Sequence, residues 1–214
     1  MSVISWKRNS GVGIDQTLGF ELPSLKRFAN TKASCIPCFL HYHLRLSFLL
    51  FQYQSAQMEY QTKKARFSLC KEYRYTLERS WSTGTGAVLF IGLNPSTADC
   101  RKDDPTIRRC VKFAVDWGFN KLIVTNIFAY RTTYPEDLKQ KQEPVGSQND
   151  VWIKRSYGAA QLAVACWGDH GSYLNRGTQI KEYFPRLHFL KMNRSEQPAH
   201  PLYLRATVTP QLWR

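Results

Sequence analysis

The chain has 214 residues, a formal net charge of +14, 43% hydrophobic residues and 21% charged residues. This composition excludes a wholly disordered chain and predicts one folded domain with or without an extension. The positive charge favours nucleic acid or a nucleotide as the partner. No membrane association is expected, because the apolar stretch 35–51 is interrupted by polar residues and is shorter than the roughly 20 residues that span a bilayer.

Residues 1–57 show no sustained helical or strand period. We expect them to be an unstructured extension, or an upstream stretch translated from a mis-set start. Cys35 and Cys38 form a Cys-x-x-Cys pair followed by His41 and His43, but a zinc module needs a wider second ligand pair, so no metal site is predicted. The cysteine pattern and the lack of an apolar signal segment predict a reducing, cytoplasmic setting.

Residues 58–214 read as a single α/β domain. They contain 24 lysines and arginines and 14 aspartates and glutamates, so the positive charge does not depend on the extension. Apolar runs predict strands, and apolar residues at helical spacing predict helices. The predicted strands are residues 73–81, 87–91, 122–125, 162–166 and 187–190, the first of them an edge strand. The predicted helices are residues 105–117, 147–161 and 173–184.

The alternation of these elements predicts a three-layer α/β/α domain with a mainly parallel, roughly four-stranded central sheet. The first helix should start at Pro105 with Asp104 as its N-cap. Asn149 and Asp150 open the next helix, and capping is the leading interpretation of that pair.

Polar side chains follow each strand of the predicted parallel sheet. In open α/β sheets, ligands bind outside the carboxyl ends of the strands, so we predict the site at this rim. The helix that begins at Pro105 also points its N-terminus there, which favours an anion. The polar rim residues are Asn94, Ser96, Thr97, Asp99, Asp103, Asp104, Asn126, Arg131, Asp169, His170, Asn193 and His200.

Several common catalytic motifs are missing from the sequence. It has no Walker loop, no G-x-G-x-x-G, no G-x-S-x-G and no H-E-x-x-H, which argues against the commonest nucleotide hydrolases, dinucleotide enzymes, esterases and zinc proteases. No cofactor is therefore predicted. Asp99, Asp103 and Asp104 leave one alternative open, a hydrolase that depends on a hard metal such as Mg²⁺.

A series of motifs runs in a fixed order between Ala65 and Leu204. The motifs are Gly92-Leu93-Asn94-Pro95-Ser96-Thr97-Ala98-Asp99, Asp103-Asp104-Pro105-Thr106-Ile107-Arg108-Arg109-Cys110, Asn126-Ile127-Phe128-Ala129, Pro144-Val145-Gly146, Asn149-Asp150, Trp167-Gly168 and His200-Pro201-Leu202-Tyr203-Leu204. In this order they resemble the bacterial and phage family called domain of unknown function 1643, a family name that implies no reaction.

Two of these motifs also resemble the uracil-DNA glycosylase superfamily. Gly92-Leu93-Asn94-Pro95 is similar to the first motif of the mismatch-specific branch, and His200-Pro201 is similar to the start of the second motif. The resemblance implies a uracil-DNA-glycosylase-like sheet, an Asn94 that positions the hydrolytic water and a His200 that contacts the flipped base and helps it leave.

The sequence departs from that branch in two places. Ser96 and Thr97 follow the proline where the branch has glycine and an apolar residue. The residues after Pro201 lack the Ser-Pro wedge that enters a duplex. Single-stranded nucleic acid, a free nucleotide and a nucleoside therefore all remain open as substrates.

The chemistry of N-glycosidic hydrolysis suits these residue types. An amide or carboxylate near the sugar can hold water, a histidine can stabilise the departing base, and the base needs an aromatic wall and polar readers. The predicted catalytic residues are Asn94, Asp99 as a rival water activator, and His200. The predicted substrate-binding residues are Gly92, Pro95, Ser96, Thr97, Asn126, Phe128, Arg131, Trp167 and His170, and the predicted phosphate-binding residues are Arg108 and Arg109. A non-catalytic module that binds nucleotides or nucleic acid through the same pocket is the other alternative.

Overall fold

A computed structural model of the chain describes residues 59–214. The predictions for residues 1–57, including the Cys-x-x-Cys pair, lie outside the described residues. The strands of the described part are β1 (Thr62–Phe67), β2 (Arg74–Ser80), β3 (Ala87–Gly92), β4 (Lys121–Asn126), β5 (Leu162–Ala165), β6 (Leu187–Phe189) and β7 (Gln211–Leu212). Its helices are α1 (Pro105–Asp116), α2 (Asp137–Gln140), α3 (Asn149–Gly158) and α4 (Arg176–Tyr183), with 3₁₀ segments at Asp169–Asn175 and Pro201–Tyr203.

Within residues 59–214, seven strands form one mixed sheet in the order β1-β2-β4-β3-β5-β6-β7. The four strands β4, β3, β5 and β6 are parallel, whereas β1, β2 and β7 join through antiparallel pairs. The predicted α/β class is confirmed. The finer prediction of a mainly parallel sheet of about four strands is not confirmed, since the sheet is mixed and has seven strands. The largely exposed strands β1 and β7 carry no apolar run that would have predicted them.

The segment predicted as an edge strand lies inside the sheet. β2 pairs with β1 on one side and with β4 on the other. The outer strand β1 has the mostly exposed, polar sequence TKKARF, which carries no apolar signal for a further strand beyond β2. The edge prediction is therefore wrong, and the strand prediction itself is confirmed.

Helices cover both faces of the sheet. Val88 and Phe90 of β3 pack toward α1, and Leu89 and Ile91 pack toward α3 and α4. Alternate residues of one strand thus enter two different cores, which explains why β3 is apolar throughout. None of the helices in the described part is long and apolar enough to cross a membrane.

Helix α1 follows the sequence prediction closely. The N–H of Ile107 donates to Oδ1 of Asp104 at 2.8 Å, and Pro105 occupies the first turn. By contrast, the predicted helix at 173–184 is shortened, because Leu174 and Asn175 have φ values of 51° and 56°. Those left-handed residues end the 3₁₀ segment, and α4 begins only at Arg176.

A buried ion pair anchors the long loop that connects β3 to α1. The guanidinium of Arg79, which is fully buried, contacts Oδ1 of Asp103 through Nε at 2.8 Å and through Nη2 at 2.6 Å. The hydroxyl of Tyr60 donates to the other carboxylate oxygen at 2.7 Å, and Nη2 of Arg79 also donates to the carbonyl of Asp99 at 2.5 Å. These contacts therefore attach the loop to β2.

We predict that Arg79→Met lowers the free energy of unfolding by about 3 kcal/mol, because it leaves the carboxylate of Asp103 enclosed without its partner. Urea denaturation measures this. Arg108→Met is the matched control, since the exposed Arg108 side chain makes only one contact to this loop, to the carbonyl of Asp103. Equal losses for the two variants would contradict an anchoring role for Arg79.

Candidate functional site

A cleft of about 680 Å³ lies at the carboxyl edge of the parallel strands. The loops after β3, β4, β5 and β6 and the first turn of α1 line it. The predicted site residues that line the cleft are Gly92, Asn94, Ser96, Asn126, Trp167, His170 and His200. Its floor is apolar and includes Phe90, Val124, Cys110 and Cys166. Burial raises the pKa of the Cys110 thiol and raises that of Cys166 to about 12, so neither thiol is a nucleophile at neutral pH.

Hydrogen bonds lock the first two rim loops together. The parallel pairing of β3 and β4 continues past the strands, because the N–H of Ile127 donates to the carbonyl of Gly92 at 2.9 Å and that of Thr132 donates to the carbonyl of Pro95 at 3.0 Å. Nδ2 of Asn94 donates to the carbonyl of Thr132 at 2.7 Å. This bond orients the amide and leaves its Oδ1 as an acceptor at the cleft.

Asn126 is the most enclosed amide of the cleft. The residue is 5% exposed, and its carboxamide makes no hydrogen bond among residues 59–214. It lies over Gly92, where an added Cβ would come within 2.8 Å of Nδ2 of Asn126. Glycine at position 92 therefore provides the space that Asn126 occupies.

Two side chains behind the cleft hold the end of β4. Nδ2 of Asn149 donates to the carbonyls of Asn126 and Ile127 at 2.9 and 3.2 Å, and Nε of Arg176 donates to the carbonyl of Ile127 at 3.2 Å. Asp150 pairs with Arg176. The prediction that Asn149 and Asp150 cap a helix is wrong, because both side chains are used in these tertiary contacts and neither caps α3.

His200 borders the cleft as a neutral hydrogen-bond donor. Burial lowers the pKa of its imidazole below the ordinary value of about 6.5, and the nearby carboxylate of Asp104 offsets this only in part. Nδ1 accepts from the N–H of Leu202 at 3.4 Å, so the proton of the neutral ring belongs on Nε2. The ring of Tyr203, which is largely exposed, lies 5.7 Å from that of His200.

Arg74 is a cleft residue that the sequence prediction missed. Its guanidinium is buried, and Nη1 donates to the carbonyl of Ala98 at 2.7 Å. Burial lowers its pKa to about 10, so it remains charged at neutral pH. Arg74 lies in an alternating strand, where an arginine is ordinarily exposed, and no local signal marks it as buried.

The three loop carboxylates do not form a metal site. Asp99 accepts from the N–H groups of Arg101 and Lys102 at 2.7 and 2.8 Å, which lowers its pKa, and its side chain does not line the cleft. Asp103 pairs with Arg79 and Asp104 caps α1. No group of three or more histidines, cysteines, aspartates or glutamates in the described residues is placed to hold a metal ion. The metal-dependent alternative therefore has no ligand set in this loop.

Two aromatic residues predicted to bind the substrate have buried rings. Phe128 is fully buried, with its ring 5.6 Å from that of Tyr173. The indole of Trp167 donates to Oε1 of Gln197 at 2.8 Å and lies 5.8 Å from the ring of Trp213. Both rings belong to the core beneath α3 and α4, and Tyr203 is the aromatic ring exposed at the cleft.

The predicted basic residues Arg108, Arg109 and Arg131 do not line the cleft and donate to backbone carbonyls instead. Nη1 of Arg131 donates to the carbonyl of Lys71 at 3.0 Å. Arg108 donates to the carbonyl of Asp103, and Arg109 donates to the carbonyl of Leu204. The remaining predicted residues, Pro95, Thr97 and His170, lie at the margin of the cleft. Pro95 and Thr97 do not line the cleft, and the exposed His170 lies 4.0 Å from Oε1 of Glu136.

The structure defines a class of protein, an α/β protein with a cleft at the carboxyl edge of the parallel strands of a mixed sheet. Residues 74–202 match the family described as a protein of unknown function, DUF1643. The chain belongs to this family, as the motif order predicts, and the matched range contains most of the cleft. No curated protein and no solved structure matches the chain.

We predict that protonation of His200 destabilises the fold. Its native pKa lies below the unfolded value, so the unfolded state binds more protons as the pH falls below about 6.5, and stability is lost there. Urea denaturation between about pH 7.5 and about pH 5 should show a steeper loss for the wild type than for His200→Gln. An NMR titration midpoint for His200 at or above the ordinary value would contradict this.

We predict that Gly92→Ala displaces the side chain of Asn126 while changing the free energy of unfolding by less than about 1 kcal/mol, because the clash involves the end of a side chain. The Asn126 side-chain amide signal in a ¹H–¹⁵N correlation spectrum should shift. Gly158→Ala is the matched control, since its Cβ would meet nothing within 4 Å. An unshifted Asn126 signal in Gly92→Ala would rule out the close approach.

Proposed function

We propose that the cleft binds a base of a nucleotide or nucleic acid and hydrolyses its N-glycosidic bond. The observation that carries the proposal is the carboxamide of Asn126, which lines the cleft and makes no hydrogen bond within the described part of the chain. A hydrogen bond from a ligand to such a free carboxamide contributes about 0.5–1.5 kcal/mol. An amide offers one donor group and one acceptor, which suits the edge of a base.

Tyr203 supports an aromatic ligand. Its ring is 83% exposed at the cleft, and the His200 ring beside it is 5.7 Å away. A base can stack on such a ring, and stacking contributes about 1–3 kcal/mol per base. In this arrangement the flat face of the base packs on Tyr203 and its polar edge reaches Asn126.

The hydrolysis would use two further side chains. Oδ1 of Asn94 accepts a hydrogen bond from a water molecule, whose oxygen attacks the anomeric carbon of the sugar. The bond between that carbon and the base nitrogen breaks, and its electron pair leaves with the base. Nε2–H of the neutral His200 donates a hydrogen bond to the base as negative charge develops on it.

The attacking water must lose a proton, and a carboxylate at the cleft can accept it. Asp104 lines the cleft, and its Oδ1 accepts from the N–H of Ile107. We assign Asp104 the role that the sequence suggested for Asp99, whose carboxylate binds the N–H groups of its own loop.

A non-catalytic binding module is the second candidate. It is favoured by the engagement of Asp99 outside the cleft and by the hydrogen bonds that Asp169, a carboxylate that does line the cleft, accepts from Asn193 and Ser195. These contacts lower the pKa of Asp169 and make it a poor base.

The experiment uses the full chain in EDTA with labelled single- and double-stranded DNA and RNA that contain uracil, hypoxanthine or mismatches, and with free nucleosides and nucleotides. Released base and alkali-sensitive abasic sites are measured. We expect base release that falls about 10²–10³-fold in His200→Ala, because a donor to the leaving base is lost. Asn94→Ala should also be impaired. Asp99→Asn is the matched control and should retain wild-type activity.

Binding without base release would favour the binding module. Base release that survives in both Asn94→Ala and His200→Ala would show that the reaction does not use these residues, and the mechanism would be wrong. Activity that disappears in EDTA and returns with Mg²⁺ would also contradict the proposal.

A further inference from the structure

Three arginines in the described residues are buried, and one of them lacks an acidic partner. Arg79 pairs with Asp103 and Arg176 pairs with Asp150. Arg74 has no carboxylate within ion-pair distance among residues 59–214. The one hydrogen bond that its guanidinium makes there runs from Nη1 to the carbonyl of Ala98. Nε is buried without a partner.

A buried cation without an ionic partner destabilises the folded state, because burial removes the hydration of the charge. Lowering the pKa to about 10 does not neutralise Arg74 at physiological pH. We therefore expect the charged guanidinium and its free N–H groups to bind an anion from outside the described part of the chain. A guanidinium presents paired donors that match the oxygens of a phosphate.

The surroundings of Arg74 also suit an anion. Arg74 lines the same cleft as Asn126, together with Thr106 and Ile107 in the first turn of α1. The backbone N–H of Thr106 has no acceptor among residues 59–214, and the helix dipole adds positive potential at this end. The side chain of Asp104 is the opposing feature, since its negative charge is close enough to raise the pKa of Arg74.

We propose that Arg74 and the first turn of α1 bind the terminal phosphate of a mononucleotide whose base reaches Asn126. The assignment of the base to Asn126 rests on the proposed function. The assignment of the phosphate does not, because it is argued from Arg74 and the first turn of α1. The cleft volume of about 680 Å³ falls within the roughly 300–1,000 Å³ of small-ligand pockets.

A free nucleotide fits this cleft better than a polymer does. Proteins that bind a nucleic-acid strand place exposed basic side chains along it, and these side chains contact several successive phosphates. Among the described residues, the lysines and arginines that line the cleft are Arg74 and Lys191, while Arg108 and Arg109 are engaged elsewhere. One buried guanidinium can bind one phosphate group, as at the end of a small molecule.

Isothermal titration of the full chain tests the proposal with inorganic phosphate, uridine, uridine monophosphate, adenosine and adenosine monophosphate. For at least one base, the monophosphate should bind the wild type about 10-fold or more tighter than its nucleoside, as expected for charge-assisted hydrogen bonds. Arg74→Gln should remove that difference. Arg108→Gln, the matched control outside the cleft, should retain it.

A second variant covers the case in which Arg74→Gln fails to fold because its bond to Ala98 is lost. Asp104→Asn keeps an N-cap residue of similar strength but removes the negative charge from the cleft. The affinity for the monophosphate should therefore rise in Asp104→Asn, while that for the nucleoside should not.

Each outcome separates this inference from the proposed function. Equal affinities of nucleoside and monophosphate for the wild type would overturn the inference, even if base release is observed. Tighter monophosphate binding that depends on Arg74, without base release, would support the inference and count against hydrolysis. Oligonucleotides that bind more tightly than every mononucleotide would overturn the assignment of a terminal phosphate.

Discussion

The buried ion pair between Arg79 and Asp103 is the interaction on which the cleft depends. It joins β2 to the loop between β3 and α1, and Tyr60 completes it from the chain segment before β1. That loop carries Asn94 at its start and the N-cap of α1 at its end. Arg79 and Tyr60 bond to both oxygens of this carboxylate, and breaking these bonds would leave its charge enclosed without a partner, so the loop is held in one arrangement.

The edge of the sheet supplies the second constraint. Parallel strands bring their carboxyl ends to one side, and the backbone bonds that continue from β3 to the loop after β4 keep those ends in register. Asn149 and Arg176 bind the carbonyls at the end of β4 from the opposite side. Asn126 therefore faces the cleft on a backbone that is fixed from both directions, which is what precise recognition of a ligand requires.

The electrostatics of the cleft follow from burial rather than from the net charge of the chain. Burial keeps His200 neutral and a hydrogen-bond donor, and it leaves Arg74 charged without an acidic partner. Most other basic side chains lie outside the cleft. Burial thus gives a neutral donor near the expected base and a cation near the expected phosphate, and Asp104 interacts with both.

The sequence by itself determined the α/β class, the parallel strands, α1 with its Asp104 cap, and a polar rim that includes Asn94, Asn126 and His200, because apolar runs, helical periodicity and caps are local signals. The tertiary structure decided the antiparallel strands β1 and β7, whose exposed residues carry no apolar pattern. It also decided which rim residues meet. Phe128 packs in the core, the ring of Trp167 is buried although the residue borders the cleft, and Asp99 binds its own loop, whereas Arg74 and Tyr203 line the cleft although neither is a predicted site residue. Burial and pairing depend on residues distant in sequence, so no local pattern distinguishes Arg74 from an exposed arginine.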